Sequence, residues 1–507
     1  MKKIALLYPV NNFVPPLGLL SLAAMLEKEK IEVAVLPVFD YVYYQGMAIP
    51  RKVIEGLRAF KPNLIGIGFM SAEWKPAKFI IESLRAIFTE TVIVVAGGRH
   101  ASNFPSEALR WGADYVVVGE GETTLSELVR ALASERSTEN IPGLASLDAG
   151  KKMHLVPREQ ETADLDIIPA YHLIPYQKFI DTRMALVGRY MKAGWLMTSR
   201  GCFSKCIYCR DQKFGSRLRF RSMDAVIEDI RVQLKDYDLE CFYIIDDMFA
   251  INEKRVIEFC NRFRDIQDEF KKRLYFAATA RADTLTMPMI EALEHAGCTQ
   301  LSIGAESGSQ KILDFLGTNK KVSDTISAFD MLKDKHIDTF VNFIVGVPSE
   351  EEKDVSETIG LVRRIRPTLV SVSFLTAYPG TSLYELSLES GWIKREDLSS
   401  HSFRHSENVS HLKLGVEQPV LDRRKELIYK VSFKSSIANF FFKKESYRFI
   451  IDILKIGCVK PRSFFSLLGS FLRKDIDRLK EIYRYMIYDD IWHRPGIIKG
   501  REGTVRS

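Results

Sequence analysis

Trp195-Leu-Met-Thr-Ser-Arg-Gly-Cys202-Phe-Ser-Lys-Cys206-Ile-Tyr-Cys209 is the stretch on which the reading of this chain turns. Three of the seven cysteines fall within these eight final residues, spaced C-x3-C-x2-C, straight after a short apolar run that reads as a strand. Three thiolates from one loop can hold three irons of a cubane cluster and leave the fourth iron open to another ligand. A closed tetrahedral zinc site would need a fourth Cys or His close by, and the neighbouring sequence has none. The remaining Cys241, Cys260, Cys298 and Cys458 are scattered. That spacing argues against a disulfide framework and a second cluster, and for a reducing compartment.

Outward from this loop, 507 residues are enough for two or three domains. With 46% hydrophobic and 27% charged residues, the composition is that of a globular protein. The opening Met-Lys-Lys-Ile-Ala-Leu-Leu-Tyr-Pro reads as a first strand, because Asn11-Asn12 ends its apolar run too early for a leader peptide. No run approaches the roughly 18 apolar residues of a membrane span, so a cytoplasmic protein is expected. The net charge of +7 is uneven: residues 415–507 carry 20 Lys and Arg against 11 Asp and Glu. These basic residues are not interleaved with a nucleic-acid-binding motif, and no nucleic-acid partner is expected.

Before the cysteines, near-continuous apolar runs (Ile4–Val10, Glu32–Val38, Leu64–Met70, Val92–Gly98, Tyr115–Gly119) alternate with helical patterns (Leu17–Lys30, Pro50–Phe60, Pro76–Phe88, Ser106–Trp111, Thr123–Ala133). Strands apolar on both faces and separated by helices predict a doubly wound parallel sheet over residues 1–140. Such sheets bind ligands at the carboxyl ends of their strands. The loops there hold Pro15-Pro16-Leu-Gly18, Ser71-Ala-Glu-Trp74, Gly97-Gly98-Arg-His100 and Gly119-Glu120-Gly-Glu122. Residues 141–190 read as a hairpin followed by an ordered connector.

From 191 to 395, six strand candidates recur with helices between them: Trp195–Ser199, Phe242–Asp246, Tyr275–Thr279, Gln300–Gly304, Thr339–Val345 and Leu369–Leu375. This rhythm predicts an open parallel (β/α)6 barrel with its chemistry at the carboxyl ends. Those ends carry Asp246-Asp247-Met-Phe, Ala280-Arg281-Ala-Asp283, Gly304-Ala-Glu306-Ser307-Gly308, Gly346-Val-Pro348 and Tyr378-Pro-Gly380. Residues 396–507 read as helical. Phe440–Lys444, Tyr447–Leu454 and Ser463–Tyr488 have apolar faces and basic edges, so peripheral membrane contact through these helices is one expectation.

The cysteine loop, with Tyr208 before its last Cys, resembles the cluster loop of radical S-adenosylmethionine (SAM) enzymes. The four N-terminal loops resemble the cobalamin-binding domain of the B12-dependent radical SAM class. Together they imply a Rossmann-like cobalamin-binding domain, a partial TIM-like radical SAM barrel and a helical C-terminal domain facing the substrate. The resemblance implies Cys202, Cys206 and Cys209 as ligands of a [4Fe-4S] cluster. It implies Asp246, Arg281 and Tyr378 as catalytic residues, and Asp247, Glu306, Ser307 and Gly346 around SAM. It further implies Pro16, Gly18, Gly97, Gly98, His100, Gly119 and Glu120 around cobalamin. The Asp-x-His-x-x-Gly motif of methionine-synthase-like domains is missing, so no protein His on cobalt is expected. The Cys-free first domain separates the chain from methylthiotransferases, which hold a second cluster there.

The implied activity is C-methylation of an unactivated carbon. SAM is cleaved reductively to methionine and a 5′-deoxyadenosyl radical, and methylcobalamin supplies the methyl group. An external flavodoxin- or ferredoxin-type donor is expected, with a small-molecule substrate. The basic tail leans the expectation towards a large lipid-like or tetrapyrrole molecule. The alternative within the class is a cyclase, oxidase or ring-rearranging enzyme without net methyl transfer.

Overall fold

The structure is a computed structural model that describes residues 2–10, 14–40, 49–88, 92–158, 163–180, 191–209, 217–394, 414 and 416–442. Seven strands build the first sheet: β1 (Lys3–Val10), β2 (Glu32–Asp40), β3 (Leu64–Gly68), β4 (Ile93–Gly97), β5 (Tyr115–Val117), β6 (Leu144–Leu147) and β7 (Met153–Leu155). Their order is β2-β1-β3-β4-β5-β6-β7. The first five are parallel, as their apolar runs predict. The hairpin β6–β7, which falls within the expected linker, joins this sheet antiparallel at its edge.

Alternation along β1 explains the two-sided burial. Ile4, Leu6 and Tyr8 pack with Leu17, Leu20 and Leu26 on one face. Ala5 and Leu7 pack with Leu57, Ile80, Ile81 and Leu84 on the other. Successive strand residues point to opposite faces, so both faces must be apolar when both carry helices. The order reverses direction between β1 and β3, the place where doubly wound sheets open a ligand crevice.

A two-stranded ribbon follows, β8 (Ala193–Leu196) leading into β9 (Ser199–Arg200), which pairs antiparallel with β10 (Arg219–Phe220). Then come β11 (Cys241–Ile244), β12 (Tyr275–Ala280), β13 (Cys298–Glu306), β14 (Asp338–Val345) and β15 (Leu369–Phe374). The second sheet runs β15-β14-β13-β12-β11-β8, parallel throughout, and is the six-stranded open barrel expected.

The connector between the sheets is packed. Ala170, Tyr171, Ile174, Tyr176 and Phe179 belong to the same apolar core as Leu20 and Trp195. Within it lies a polar network. Arg221 pairs with Asp229 at 2.7 Å, and Tyr171 donates to Asp229 at 3.0 Å. Gln233 donates to the Trp195 carbonyl at 3.0 Å, and Tyr176 donates to Gln233 Oε1 at 2.9 Å. Buried polar groups are tolerated when paired in this way.

The helix Gln418–Phe442 lies on the far edge of the barrel. The Tyr429 hydroxyl accepts the Val372 amide of the edge strand β15 at 3.1 Å, satisfying a donor that an open edge leaves bare. Arg424 pairs with Glu350 at 2.9 Å, and both are buried. The tail helices expected at Tyr447–Leu454 and Ser463–Tyr488 lie outside the described residues, as does Cys458. Among the described residues, no helix is long and apolar enough to cross a membrane.

Candidate active site

The cysteine loop emerges from the carboxyl end of β8 and is tied down from two sides. The Ile207 amide donates to the Leu316 carbonyl at 3.0 Å, and the Leu383 amide donates to the Ile207 carbonyl at 2.9 Å. Cys202 and Cys206 are half-buried, Cys209 is exposed, and all three are free thiols. Cys202 Sγ lies 2.8 Å from Met248 Sδ. Although one side of Cys209 reaches solvent, the protein packed around its sulfur desolvates the thiol and pushes it up to about 11, with Cys206, Asp247, Cys202 and Glu306 adding to the rise. Burial also raises Cys206, and Glu306 adds to it, while Lys320 and Arg281 pull the other way. These thiols therefore feel one another and one set of charges. Iron must displace their protons, so loading releases acid. Among the described residues, no three His, Cys, Asp or Glu side chains converge on a single metal ion. A cubane spreads its thiolates over separate irons, and a three-thiol loop is the donor set it requires. By contrast, Cys241, Cys260 and Cys298 are buried, with thiols raised by desolvation, which makes them inert core residues.

Asp246 and Asp247 are adjacent and do different things. Asp246 is 2% exposed. It accepts the Thr198 amide at 2.6 Å, the Thr198 hydroxyl at 2.5 Å and the Ser199 hydroxyl at 2.6 Å. Burial pushes its carboxyl up, and these hydrogen bonds counter the rise. It is a positioning residue that holds the segment leading into the cysteines. Asp247 is exposed and acts electrostatically on Cys209, so it is the carboxylate available to an ammonium group beside the loop.

Arg281 is also turned to the loop. It pairs with Asp283 at 2.7 Å, donates to the Thr318 carbonyl at 2.9 Å and to the Ser204 hydroxyl at 2.5 Å, and its guanidinium lies 5.6 Å from the Phe203 ring centroid. Its contacts therefore brace the loop from below.

Glu306 sits on a register shift at the end of β13 with φ +63, a left-handed conformation that costs a non-glycine residue on the order of 1–3 kcal/mol. It hydrogen-bonds the Tyr208 side chain, and Lys320 lies 3.6 Å away while donating to the Gly304 carbonyl. Burial and Glu306 together push the Tyr208 phenol well up. A strained backbone thus holds this carboxylate beside the cysteine loop. Ser307, in contrast, is buried against Thr358 Oγ1 at 3.1 Å and receives the Ser309 amide, so it holds the turn. Gly346 has φ +91 and donates to Glu350 Oε2 at 2.8 Å, and a Cβ there would meet Leu421 of the C-terminal helix at 2.7 Å. Tyr378 is half-buried, its phenol pushed up to about 12 by burial. It shares an apolar cluster with Ile207 and Tyr208 of the cysteine loop and Trp74 of the first domain.

At the carboxyl end of the first sheet, Gly18 is exposed with open space around it, and Gly97 ends β4, the strand next to β3, with Gly98 directly after it. Gly98 has φ +89, and a Cβ there would press on the Phe69 carbonyl at 2.5 Å. Pro16 starts the helix Leu17–Lys28, and its carbonyl accepts the Leu20 amide at 3.0 Å. Met70 is 48% exposed at the end of β3. His100 is elsewhere: its ring is 4% exposed, stacked 6.2 Å from Trp74 and 6.1 Å from Trp111, with Nδ1 3.3 Å from Ser71 Oγ. It packs the domain from within. Gly119 has φ +88 and donates to Ser102 Oγ at 3.0 Å. Glu120 contacts Arg219 and lies 3.7 Å from Arg200, so it faces the barrel domain.

Sequence reasoning missed Lys320, Met248, Arg200 and Arg219. Comparison with known proteins fits this layout. Residues 4–129 match the B12 binding domain family, and residues 196–362 match the radical SAM superfamily. The chain is 30% identical to an uncharacterised methyltransferase of Pyrococcus horikoshii over 383 residues, 75% of this chain and 80% of that one. The chain belongs to the cobalamin-dependent radical SAM enzymes. It is also similar to the anaerobic magnesium-protoporphyrin IX monomethyl ester cyclase of Rubrivivax gelatinosus, 26% identical over 66% of this chain and 60% of that one. The radical SAM methyltransferase TsrM of Kitasatospora setae, solved with cobalamin and a [4Fe-4S] cluster, shares the fold: TM-score 0.62, 20% identity, covering 77% of this chain and 75% of that one. A radical SAM enzyme of this kind takes three cofactors, the [4Fe-4S] cluster, SAM and cobalamin.

Proposed function

We propose that this enzyme transfers a methyl group to an unactivated carbon of an organic small molecule. The observation that carries the reading is one apolar cluster, built on Leu316, Val347, Leu375 and Leu383, against which Trp74 of the cobalamin-binding domain, Ile207 and Tyr208 of the cysteine loop, and Tyr378 of the last barrel segment all pack. Both domains thus contribute side chains to one apolar surface, the arrangement a substrate shared between two cofactors requires. When bound, the cluster and SAM supply a hydrogen-abstracting radical and cobalamin supplies the methyl group. The chain's own residues do the rest. Cys202, Cys206 and Cys209 hold the cluster, Asp247 accepts from the SAM ammonium group, and Glu306 accepts from its ribose hydroxyls. Arg281 and Asp246 fix the loop, and Trp74 and Tyr378 exclude water. An external flavodoxin- or ferredoxin-type protein delivers the electron at the exposed side of the loop, where Lys205 and Cys209 reach solvent.

The methyltransferase relative, matched over 80% of its length, supports methyl transfer. The cyclase relatives support a second reading, oxidation or ring closure without methylation. Anaerobically reconstituted enzyme, given methyl-deuterated SAM and candidate substrates, separates them. Methyl transfer puts deuterium in the product alongside 5′-deoxyadenosine. An oxidised, unlabelled product establishes the second reading, and no SAM consumption removes both.

A further inference from the structure

The neck of the cysteine loop carries an electrostatic conflict. Arg200 stands two residues before Cys202 and pairs directly with Arg219 across the antiparallel ribbon β9–β10, which is only two residues long on each side. Like charges directly opposite one another destabilise a strand pair. Two backbone pairings are little to set against that repulsion. The compensating charges come from the other domain. Glu122 Oε1 lies 2.7 Å from Arg200, and Glu120 contacts Arg219 and lies 3.7 Å from Arg200. The side chains of Arg200, Arg219 and Glu120 are 17–19% exposed and that of Glu122 is 6% exposed, so water screens these pairs poorly. Both carboxylates sit at the start of the helix Gly121–Ala133, where its positive end steadies them.

We infer that docking of the cobalamin-binding domain closes the neck of the cluster loop. Glu120 and Glu122 act as positioning residues that neutralise Arg200 and Arg219, and the two cofactor sites are thereby built by one contact. Undocked, the facing guanidiniums drive the ribbon apart and the loop loses its shape. The cluster arm of this inference rests on the functional reading above, whereas the ribbon arm does not.

The test uses the full chain, anaerobic and without cofactors, followed by hydrogen–deuterium exchange of peptides covering 199–209 and 217–220. Reversing the carboxylates (E120R/E122R) is expected to speed exchange there about tenfold, with β12 and β13 unchanged. The full swap (E120R/E122R with R200E/R219E) is expected to bring it back to within about threefold of wild type. The milder E120Q/E122Q pair, which keeps shape and removes charge, should fall between. Unchanged exchange in E120Q/E122Q and E120R/E122R, or a swap that stays as fast as the reversal, overturns the inference. Iron uptake on reconstitution should fall by half or more in the reversal and recover in the swap. Wild-type chain that takes up neither iron nor hydroxocobalamin would count against the functional reading alone, because the exchange result does not depend on either.

Discussion

Removing the carboxylate of Asp246 separates a positioning role from a ligand role. In Asp246→Ala, the Thr198 amide and the Thr198 and Ser199 hydroxyls lose their shared acceptor. Each buried donor left unmade costs about 1–3 kcal/mol. The hydroxyls can turn to other acceptors and the amide cannot, so the lower half of the summed range applies. Against this stands the desolvation of a carboxylate that burial already pushes towards its neutral form, and the variant recovers that cost. The balance is a loss of about 3–4 kcal/mol, a large part of the roughly 5–15 kcal/mol that holds a typical domain. Asp246→Asn keeps an acceptor for the amide and should lose about 1–2 kcal/mol. Guanidinium unfolding followed by tryptophan fluorescence reads both values, and iron content after reconstitution should fall in the same order. An Ala variant within about 0.5 kcal/mol of wild type would refute the positioning role. So would an Asn variant that keeps native stability and iron yet binds SAM at least tenfold more weakly, because Asp246 would then be a SAM ligand.

Other expectations follow from single contacts. Replacing any one of Cys202, Cys206 and Cys209 by Ala should leave the fold intact, lower cluster loading and abolish 5′-deoxyadenosine formation, read by iron analysis and chromatography. Gly304→Ala would push its Cβ against the Glu306 carboxylate, the movable end of a side chain, so stability should change by less than about 1 kcal/mol while SAM affinity falls about tenfold in a binding titration. Burial raises Glu73 to about 7 although it caps the Met70 amide at 2.9 Å. Protonation therefore favours the folded state: its contribution is complete below pH 4.5 and is lost as pH rises to about 7. Glu73→Gln keeps the cap and removes the titration. It should match wild type near pH 4.5 and exceed it by about 2–3 kcal/mol at pH 8, with equal differences at both pH values counting against the idea.

The parallel strands were legible because strands covered on both faces must be apolar at every position, as Ile4 to Leu7 are. The hairpin β6–β7 has exposed and polar positions, and its pairing with β5 is a long-range choice without a periodic signature. In the site, the spacing of the cysteines was decisive, and Asp247 and Glu306 were singled out by the resemblance of the segments that carry them, which the structure places near the cysteine loop. The division of labour between Asp246 and Asp247 was readable in principle, since neighbours at a strand end point to opposite sides. Lys320 was not. Gly317-Thr-Asn-Lys-Lys looks like a surface turn, and only its return beside the Gly304 carbonyl buries the ammonium group at 5% exposure. His100 read as a loop residue because nothing local announces that Trp74 and Trp111 will close on it.

The Tyr171–Asp229–Gln233 network has a bearing on modularity. Fusion designs treat a connector as string to be cut or lengthened, and here it is masonry. Tyr176 accepts the Trp195 amide at 3.0 Å inside the barrel's first strand, so the barrel's structural unit begins before residue 176 and not at its first strand. Recombining this catalytic barrel with another corrinoid module therefore means transplanting residues 163–180 with it, and grafts joined at residue 191 would leave Arg221 and Asp229 short of their neighbours.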